Sequence, residues 1–177
     1  MKITAIRHGP FSPVNGGRPT PTALKRFLRL LNAEFHFNVV VSSSVPRTKE
    51  LAIRAAHQHR HRLIIIEEFN PLETTKFPPL FGGWLYELLH RWQIFNHLML
   101  ILWWNGFPIF TEGPIEFLER TKKGLQILQK MAQTDDTLLI CHQETIIALM
   151  ILDGKRPFDA LKKRIPHFYT YDFFTTD

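Results

Sequence analysis

Three short polar groups, each at the end of an apolar stretch, contain the residues best suited to chemistry. Arg7 and His8 follow the first stretch, Arg47 comes soon after the second, and His142 follows the last of the central apolar stretches. Guanidinium groups present planar sets of N–H donors that match phosphate oxygens. An imidazole can attack phosphorus to give a phosphohistidine that water later cleaves. Two arginines and two histidines that meet at one place would therefore support phosphoryl transfer.

These groups can meet only if the apolar stretches lie side by side in one sheet. The sequence predicts buried strands at residues 2–7, 39–41, 63–66 and 137–141, with helices over 22–31, 46–56, 115–131 and 144–152. Strands that alternate with helices predict an α/β fold, a three-layer sandwich with a mainly parallel central sheet. Ligands bind beyond the carboxyl ends of strands in such sheets, where the three polar groups fall. The alternating stretch 167–173 predicts a strand at the sheet edge.

Two segments carry apolar or aromatic residues at approximately helical spacing. The predicted helix over 115–131 places five apolar residues on one face: Ile115, Leu118, Leu125, Leu128 and Met131. The segment 78–110 is rich in aromatic residues, and its spacing from 84 to 99 approximates a helix. We expect one domain over residues 1–177, with this segment as a helical insertion that packs as core, covers the site as a lid or forms a homodimer surface.

The same residues carry a resemblance to a known family. Arg7-His8-Gly9 at the end of a first strand resembles the signature of the histidine phosphatase superfamily, also called phosphoglycerate mutase-like, in its branch 1. The segment 42–52, with paired serines and then Arg47, is similar to the second motif of the family, and 138–144 is similar to the third. The resemblance implies that His8 is the catalytic nucleophile. It also implies that Arg7, Arg47 and His142 bind the phosphate together with His8, and that His142 takes part in catalysis.

A proton donor for the leaving alcohol is expected in the loop after the third strand. Glu73 lies where the resemblance implies this acid, and Glu67 or Glu68 is a weaker candidate. The chain departs from the family pattern after His142, where Gln143 and Glu144 replace glycines. A carboxylate at that position could repel a dianionic ester or bind an amine of the substrate.

The leading function is a phosphomonoesterase acting on a small phosphorylated metabolite or a phosphoprotein. The alternatives are a protein phosphohistidine phosphatase, in a subgroup that tends to lack the acid, and a catalytically weak phosphate-binding protein on the same fold. The net charge of +6 is scattered along the chain, which argues against nucleic acid as a partner. No apolar run approaches the ~20 residues of a membrane span, so we expect a soluble, cytoplasmic protein.

No metal site or cofactor is expected from the sequence. Cys141 is the only cysteine, which excludes a multi-cysteine zinc site, and it should be an inert residue of the core. His57, His59 and His61 alternate within a basic stretch without nearby carboxylates, and we expect them to be exposed to solvent.

Overall fold

A mainly parallel, five-stranded sheet forms the centre of the described part of the chain. The computed structural model describes residues 2–12, 16–34, 36–73, 93–132, 135–163 and 165–174. The strands are β1 (Lys2–Arg7), β2 (Phe11–Ser12), β3 (Arg18–Pro19), β4 (Val39–Ser42), β5 (Arg62–Ile65), β6 (Thr137–Cys141) and β7 (Thr170–Phe174). The central sheet has the order β5-β4-β6-β1-β7, and β2 and β3 form a separate hairpin. The edge strand predicted over 167–173 is confirmed as β7, which pairs antiparallel with β1, but residues 167–169 form a turn before it and not part of the strand.

Helices cover both faces of this sheet. They are α1 (Pro21–Glu34), α2 (Pro46–His59), α3 (Gln93–Trp104), α4 (Pro114–Ala132), α5 (Gln143–Leu152) and α6 (Pro157–Lys162), with a 3-10 turn at Glu67–Phe69. Alternate strand residues such as Val40 and Leu138 pack against α1 and α2, whereas Val41 and Leu139 pack against α3 to α6. Because both faces are covered, the central strands β4 and β6 are buried along their whole length. The three-layer α/β fold with a mainly parallel sheet is confirmed.

The predicted buried face of α4 was wrong at its two ends. Ile115 and Met131 are exposed, at 77% and 39% of their surface, while Thr121 and Gly124 are buried. A methyl group on Gly124 would lie 2.9 Å from Cε1 of Phe69. The helix thus approaches the 3-10 turn through a residue with no side chain, and this close contact sets the face.

Helix α3 accounts for part of the aromatic segment 78–110, and residues 74–92 lie outside the described residues. Leu100 and Trp103 are buried in the core beside α4 and α6, so this part of the segment serves as core. The lid and the dimer surface remain predictions, as does the single domain. Among the described helices, none combines the length and apolar character needed to cross a membrane.

The histidine run lies at the end of α2. His57 is exposed as predicted, but the prediction was wrong for His59 and His61, which are partly buried. Their rings stack with centroids 5.7 Å apart, and both contact the edge of Phe37. Within the described ranges there is no group of three or more side chains suited to hold a metal ion.

Candidate active site

The carboxyl ends of β1, β4 and β6 bring the predicted groups to one edge of the sheet. Arg7 at the end of β1 is in register with Cys141 at the end of β6, and the His8 N–H donates to the Cys141 carbonyl at 3.0 Å. His8 and His142 therefore leave adjacent strands side by side, with ring centroids 5.1 Å apart. Arg47 reaches the same point from the second position of α2. The structure thus brings together all four residues predicted to surround a phosphate.

The hydrogen bonds of His8 define its tautomer. Nδ1 donates to the carbonyl oxygen of Gly9 at 2.7 Å, which places the proton of the neutral ring on Nδ1. Nε2 is then an acceptor, and it receives the Nε–H of Arg47 at 3.1 Å. Burial, together with the smaller effects of the charges of Arg47 and Arg7, lowers the pKa of His8 to about 3. At neutral pH, His8 therefore carries an unprotonated nitrogen that faces a guanidinium group.

Arg47 is held against an aromatic ring. Its guanidinium carbon lies 4.8 Å from the centroid of Phe11, on the short hairpin that follows His8. The rings of Phe11 and His8 also meet in a T-shaped arrangement, with their centroids 5.8 Å apart. The aromatic side chain therefore fixes one wall of the site and orients both groups.

His142 is buried and ends a chain of hydroxyl groups. Its Nε2 lies 2.9 Å from Oγ of Ser43, which lies 2.6 Å from Oγ1 of Thr48. Because Thr48 donates to the Val45 carbonyl, the Ser43 hydroxyl donates to Thr48 and accepts from Nε2–H of His142. Burial, followed by the charge of neighbouring groups including His8, lowers the pKa of His142 well below its ordinary value. Its Nδ1 is buried and has no hydrogen-bond partner in the described part of the chain.

Arg7 is bound to the turn that precedes β7. Its Nη1 donates to the Ile165 carbonyl, its backbone N–H donates to Tyr169 at 2.9 Å, and its carbonyl accepts from Phe168 at 3.0 Å. His167 Nδ1 donates to the His8 carbonyl at 3.0 Å. Arg7 Nε is buried without a partner among the described residues. This turn therefore holds the backbone of the candidate nucleophile.

No pattern in the sequence indicates that His167 and Phe168 contribute to this site. Phe168 has φ +63°, a left-handed conformation that favours glycine, and its ring packs directly on Gly9. Its neighbours are Phe27, whose ring centroid lies 6.4 Å away, and Arg26, whose guanidinium carbon lies 5.2 Å from the ring centroid. The turn exists because of this packing, and a pattern of single residues does not reveal it.

Glu73 lines a cleft whose described lining includes none of the four clustered side chains. It is exposed at the margin of this cleft of about 820 Å³, and its carbonyl accepts the N–H of Thr111 at 2.9 Å. Among the described residues its carboxylate makes no contact with His8 or the arginines. The cleft reaches Asn70, which accepts hydrogen bonds from the backbone and hydroxyl of Ser44 at 2.9 and 3.0 Å, next to Ser43.

Arg120 fastens the loop that carries these acids. Its Nη1 donates to the carbonyls of Glu68 and Asn70 at 2.7 and 2.9 Å, and the guanidinium also pairs with Glu112. Burial keeps the Cys141 thiol neutral by raising its pKa, as expected for an inert core cysteine.

Comparison with known proteins identifies the fold. No family model matches the sequence, and no curated protein is similar to it. The alpha-ribazole phosphatase of Shigella flexneri is similar in structure with a TM-score of 0.65 and 19% identity, over 94% of this chain and 87% of that one. A phosphoserine phosphatase of Entamoeba histolytica gives 0.67 and 18%, over 98% and 90%. A phosphoglycerate mutase of Bacillus anthracis gives 0.66 and 17%, over 97% and 86%. The chain therefore has the phosphoglycerate mutase-like fold.

Proposed function

We propose that the chain is a phosphomonoesterase that hydrolyses phosphate esters through a phosphohistidine at Nε2 of His8. The observation that carries the proposal is the state of this atom. Gly9 holds the ring proton on Nδ1, and the pKa of about 3 keeps the ring neutral, so Nε2 is unprotonated at pH 7 and its lone pair accepts the Nε–H of Arg47. The three similar structures are named as two phosphatases and a mutase of phosphate esters, which supports the same class of chemistry.

The first step forms a phosphorus–nitrogen bond and breaks the ester bond. Arg7, Arg47 and His142 would bind the phosphoryl oxygens, whose charge must be neutralised before attack. The buried Nε of Arg7 and Nδ1 of His142 would gain hydrogen-bond partners from this anion. Negative charge beside His142 also favours its protonated form, which makes Nδ1 a donor. Since arginine and histidine side chains meet the phosphoryl charge, we propose that the reaction needs no metal ion.

The leaving oxygen needs a proton, and the second step needs a base for water. We propose Glu73 for both roles: as an acid it donates to the alcohol, and as a carboxylate it then accepts a proton from the water that cleaves phosphohistidine. Glu68 is less suitable because its carboxylate pairs with Lys123 at 3.5 Å. Phosphate and free His8 are the products.

A second candidate is a phosphohistidine phosphatase acting on a protein. The exposed position of Glu73, in a cleft whose described lining does not include His8, favours it, because a leaving imidazole needs less help from an acid than an alkoxide does. A catalytically weak phosphate-binding protein would bind phosphate without turning over esters.

The decisive experiment follows hydrolysis of p-nitrophenyl phosphate and of an alkyl phosphate in the presence of a chelator. The variant His8→Gln should lose at least about a thousandfold in kcat/KM, because the nucleophile is absent. The control His57→Gln, an exposed histidine, should retain full activity. A protein-bound phosphoryl group that is labile in acid and stable in alkali, present on wild type and absent from His8→Gln, would identify the phosphohistidine. Turnover retained in His8→Gln would refute the proposal.

The role of Glu73 is tested on the same substrates. Glu73→Gln should slow the alkyl phosphate by about a hundredfold and p-nitrophenyl phosphate only slightly, since nitrophenolate leaves without a proton. Glu67→Gln is the matched control. Equal rates in wild type and Glu73→Gln, together with rapid hydrolysis of a phosphohistidine peptide, would favour the second candidate.

A further inference from the structure

We infer that a basic groove beside the candidate phosphate site binds an acidic segment of a phosphoprotein substrate. The inference rests on the proposed function and concerns the substrate class of the same site. The basic groove is a cleft of about 540 Å³ that is lined mainly by the outer face of α2 and by Arg18 of β3. The residues of α2 that carry the argument are Lys49, Glu50, Ile53 and Arg54.

The basic groove adjoins the phosphate site through both of its walls. On α2, Glu50 follows the phosphate-binding Arg47 by three positions, so the two residues are neighbours on the helix surface. On the hairpin, Arg18 pairs with Ser12, and the adjacent Phe11 packs against the guanidinium group of Arg47. Arg18 and Glu50 join the two walls by a salt bridge of 4.0 Å. An occupant of the basic groove therefore lies next to Arg47.

The lining of the basic groove carries an excess of positive charge. It has three cations and one carboxylate, which leaves two positive charges in excess when His57 is neutral. The carboxylate of Glu50 is paired with Arg18. Lys49 and Arg54 are exposed, and neither forms a salt bridge with any other described residue. These two cations can therefore bind carboxylates of a partner without breaking an existing ion pair.

The spacing of Lys49 and Arg54 suits an extended peptide better than a single small anion. They are five positions apart on α2, which separates them by about 7.5 Å along the helix axis. Side chains on the same side of an extended chain repeat about every 7 Å. Alternate acidic residues of a bound segment can thus meet one cation each. Ile53 lies between the two cations along the helix and, with 45% of its surface exposed, offers the segment an apolar contact.

The basic groove is long enough for several residues of such a segment. Its lining extends along α2 from Pro46, the first residue of the helix, to His57, which is about 16 Å of helix. An extended peptide covers this length with about five residues. With the phosphorylated residue in the phosphate site, the acidic residues beside it would lie in the basic groove.

The chemistry of the lining favours a peptide over a nucleic acid. The described lining has no phenylalanine, tyrosine or tryptophan on which bases could stack. It also includes the carboxylate of Glu50, which would repel the continuous charge of a phosphate backbone. An acidic peptide carries its charges on separate side chains that can avoid this carboxylate.

The test compares two phosphoserine peptides, one flanked on both sides by glutamates and one flanked by glutamines. The proteins are wild type, Lys49→Gln/Arg54→Gln, and the control Lys25→Gln/Arg29→Gln, which removes the same charge from exposed residues of α1. In wild type, kcat/KM should be about twofold to thirtyfold higher for the glutamate peptide, as expected for two exposed ion pairs. The difference should lie in KM, since the basic groove contacts no reacting atom. Lys49→Gln/Arg54→Gln should lose this preference, and the control should keep it.

A small substrate and a binding measurement separate this inference from the proposed function. p-Nitrophenyl phosphate does not extend into the basic groove, so all three proteins should hydrolyse it equally. A slower Lys49→Gln/Arg54→Gln would place the two cations in the phosphate site and contradict the inference. Fluorescence anisotropy with peptides that carry the phosphonate analogue of phosphoserine should show the same preference even if no ester is hydrolysed. If His8→Gln keeps its turnover, the proposed function fails, while this binding result still decides the role of the basic groove.

Three binding results would overturn the inference and leave the phosphatase intact. The first is equal affinity of wild type for the glutamate and glutamine peptides. The second is an equal loss of preference in Lys25→Gln/Arg29→Gln, which would reduce the effect to net charge. The third is binding of a thymidine oligonucleotide as tight as that of a glutamate peptide with the same number of negative charges, lost in Lys49→Gln/Arg54→Gln. That result would make the basic groove a nucleic-acid site.

Discussion

The neutral state of His8 predicts that acid destabilises the wild-type protein more than a variant without this imidazole. The perturbation is a decrease from pH 7 to pH 5, applied to wild type and His8→Gln. In the folded protein the pKa of His8 is lowered to about 3, against 6.5 for the ordinary side chain. The unfolded chain therefore binds the proton first as the pH falls, and the free energy of unfolding decreases.

The size of the effect follows from the two pKa values. The stability linked to neutral His8 is fully present above pH 6.5, declines as the pH falls, and is exhausted near pH 3. Over the interval from pH 7 to pH 5 the linkage relation gives about 2 kcal/mol. The pKa of His142 is also lowered, chiefly by burial, so His142 adds a loss of the same sign in both proteins.

Urea denaturation at pH 7, 6 and 5 measures this difference. Wild type should lose about 2 kcal/mol more than His8→Gln between pH 7 and pH 5. NMR of the His8 ring should show no titration above pH 5. Parallel pH profiles for the two proteins, or a ring that titrates near pH 6.5, would refute the lowered pKa of His8 and the argument that burial keeps Nε2 unprotonated well below pH 7.

Two further predictions concern the supports of the site. Gly9→Ala would place a methyl carbon 2.2 Å from Cζ of Phe168, and this variant should lose about 1–3 kcal/mol of stability and most of its activity. The control Gly113→Ala, whose methyl carbon would lie 3.7 Å from its nearest atom, should be neutral. Equal melting temperatures for the two variants would contradict the packing of Phe168 on Gly9. Arg120→Met removes the donors to two loop carbonyls and leaves Glu112 without its Arg120 partner, so urea denaturation should show a loss of about 2–3 kcal/mol in the free energy of unfolding. The control Arg29→Met changes an exposed arginine and should lose almost nothing. Equal losses in the two variants would show that the loop does not depend on Arg120.

The sequence was sufficient to predict how the four pocket residues come together. Val39, Val40 and Val41 form a short run that is buried on both faces, and such runs indicate the strands of a parallel sheet. Parallel strands end at one edge, so Arg7, His8 and His142 had to meet there once their strands were neighbours. The order of polar residues after apolar runs therefore contained most of the information about the site.

Contacts between distant segments were outside the reach of such patterns. Phe168 adopts a left-handed conformation without being glycine or asparagine, because its ring is held between Gly9 and Phe27. Likewise, His59 and His61 are partly buried because they stack beside Phe37, which comes from another part of the chain. In both cases the stabilising partner is more than twenty residues away, and no local spacing indicates it.

The hydrogen bond from Arg47 to His8 bears on when the imidazole can react. Its Nε–H donates to Nε2 of His8, the atom that the proposed mechanism uses as the nucleophile, so in the free protein this lone pair accepts a hydrogen bond. An arriving phosphoryl oxygen competes for the same donor and is the stronger acceptor because it is charged. Under the proposed function, binding of the anion would draw the guanidinium away from the imidazole and expose the lone pair when a substrate is present. Arg47, which adds to the effect of burial on the pKa of His8, would then also control when this nitrogen can attack.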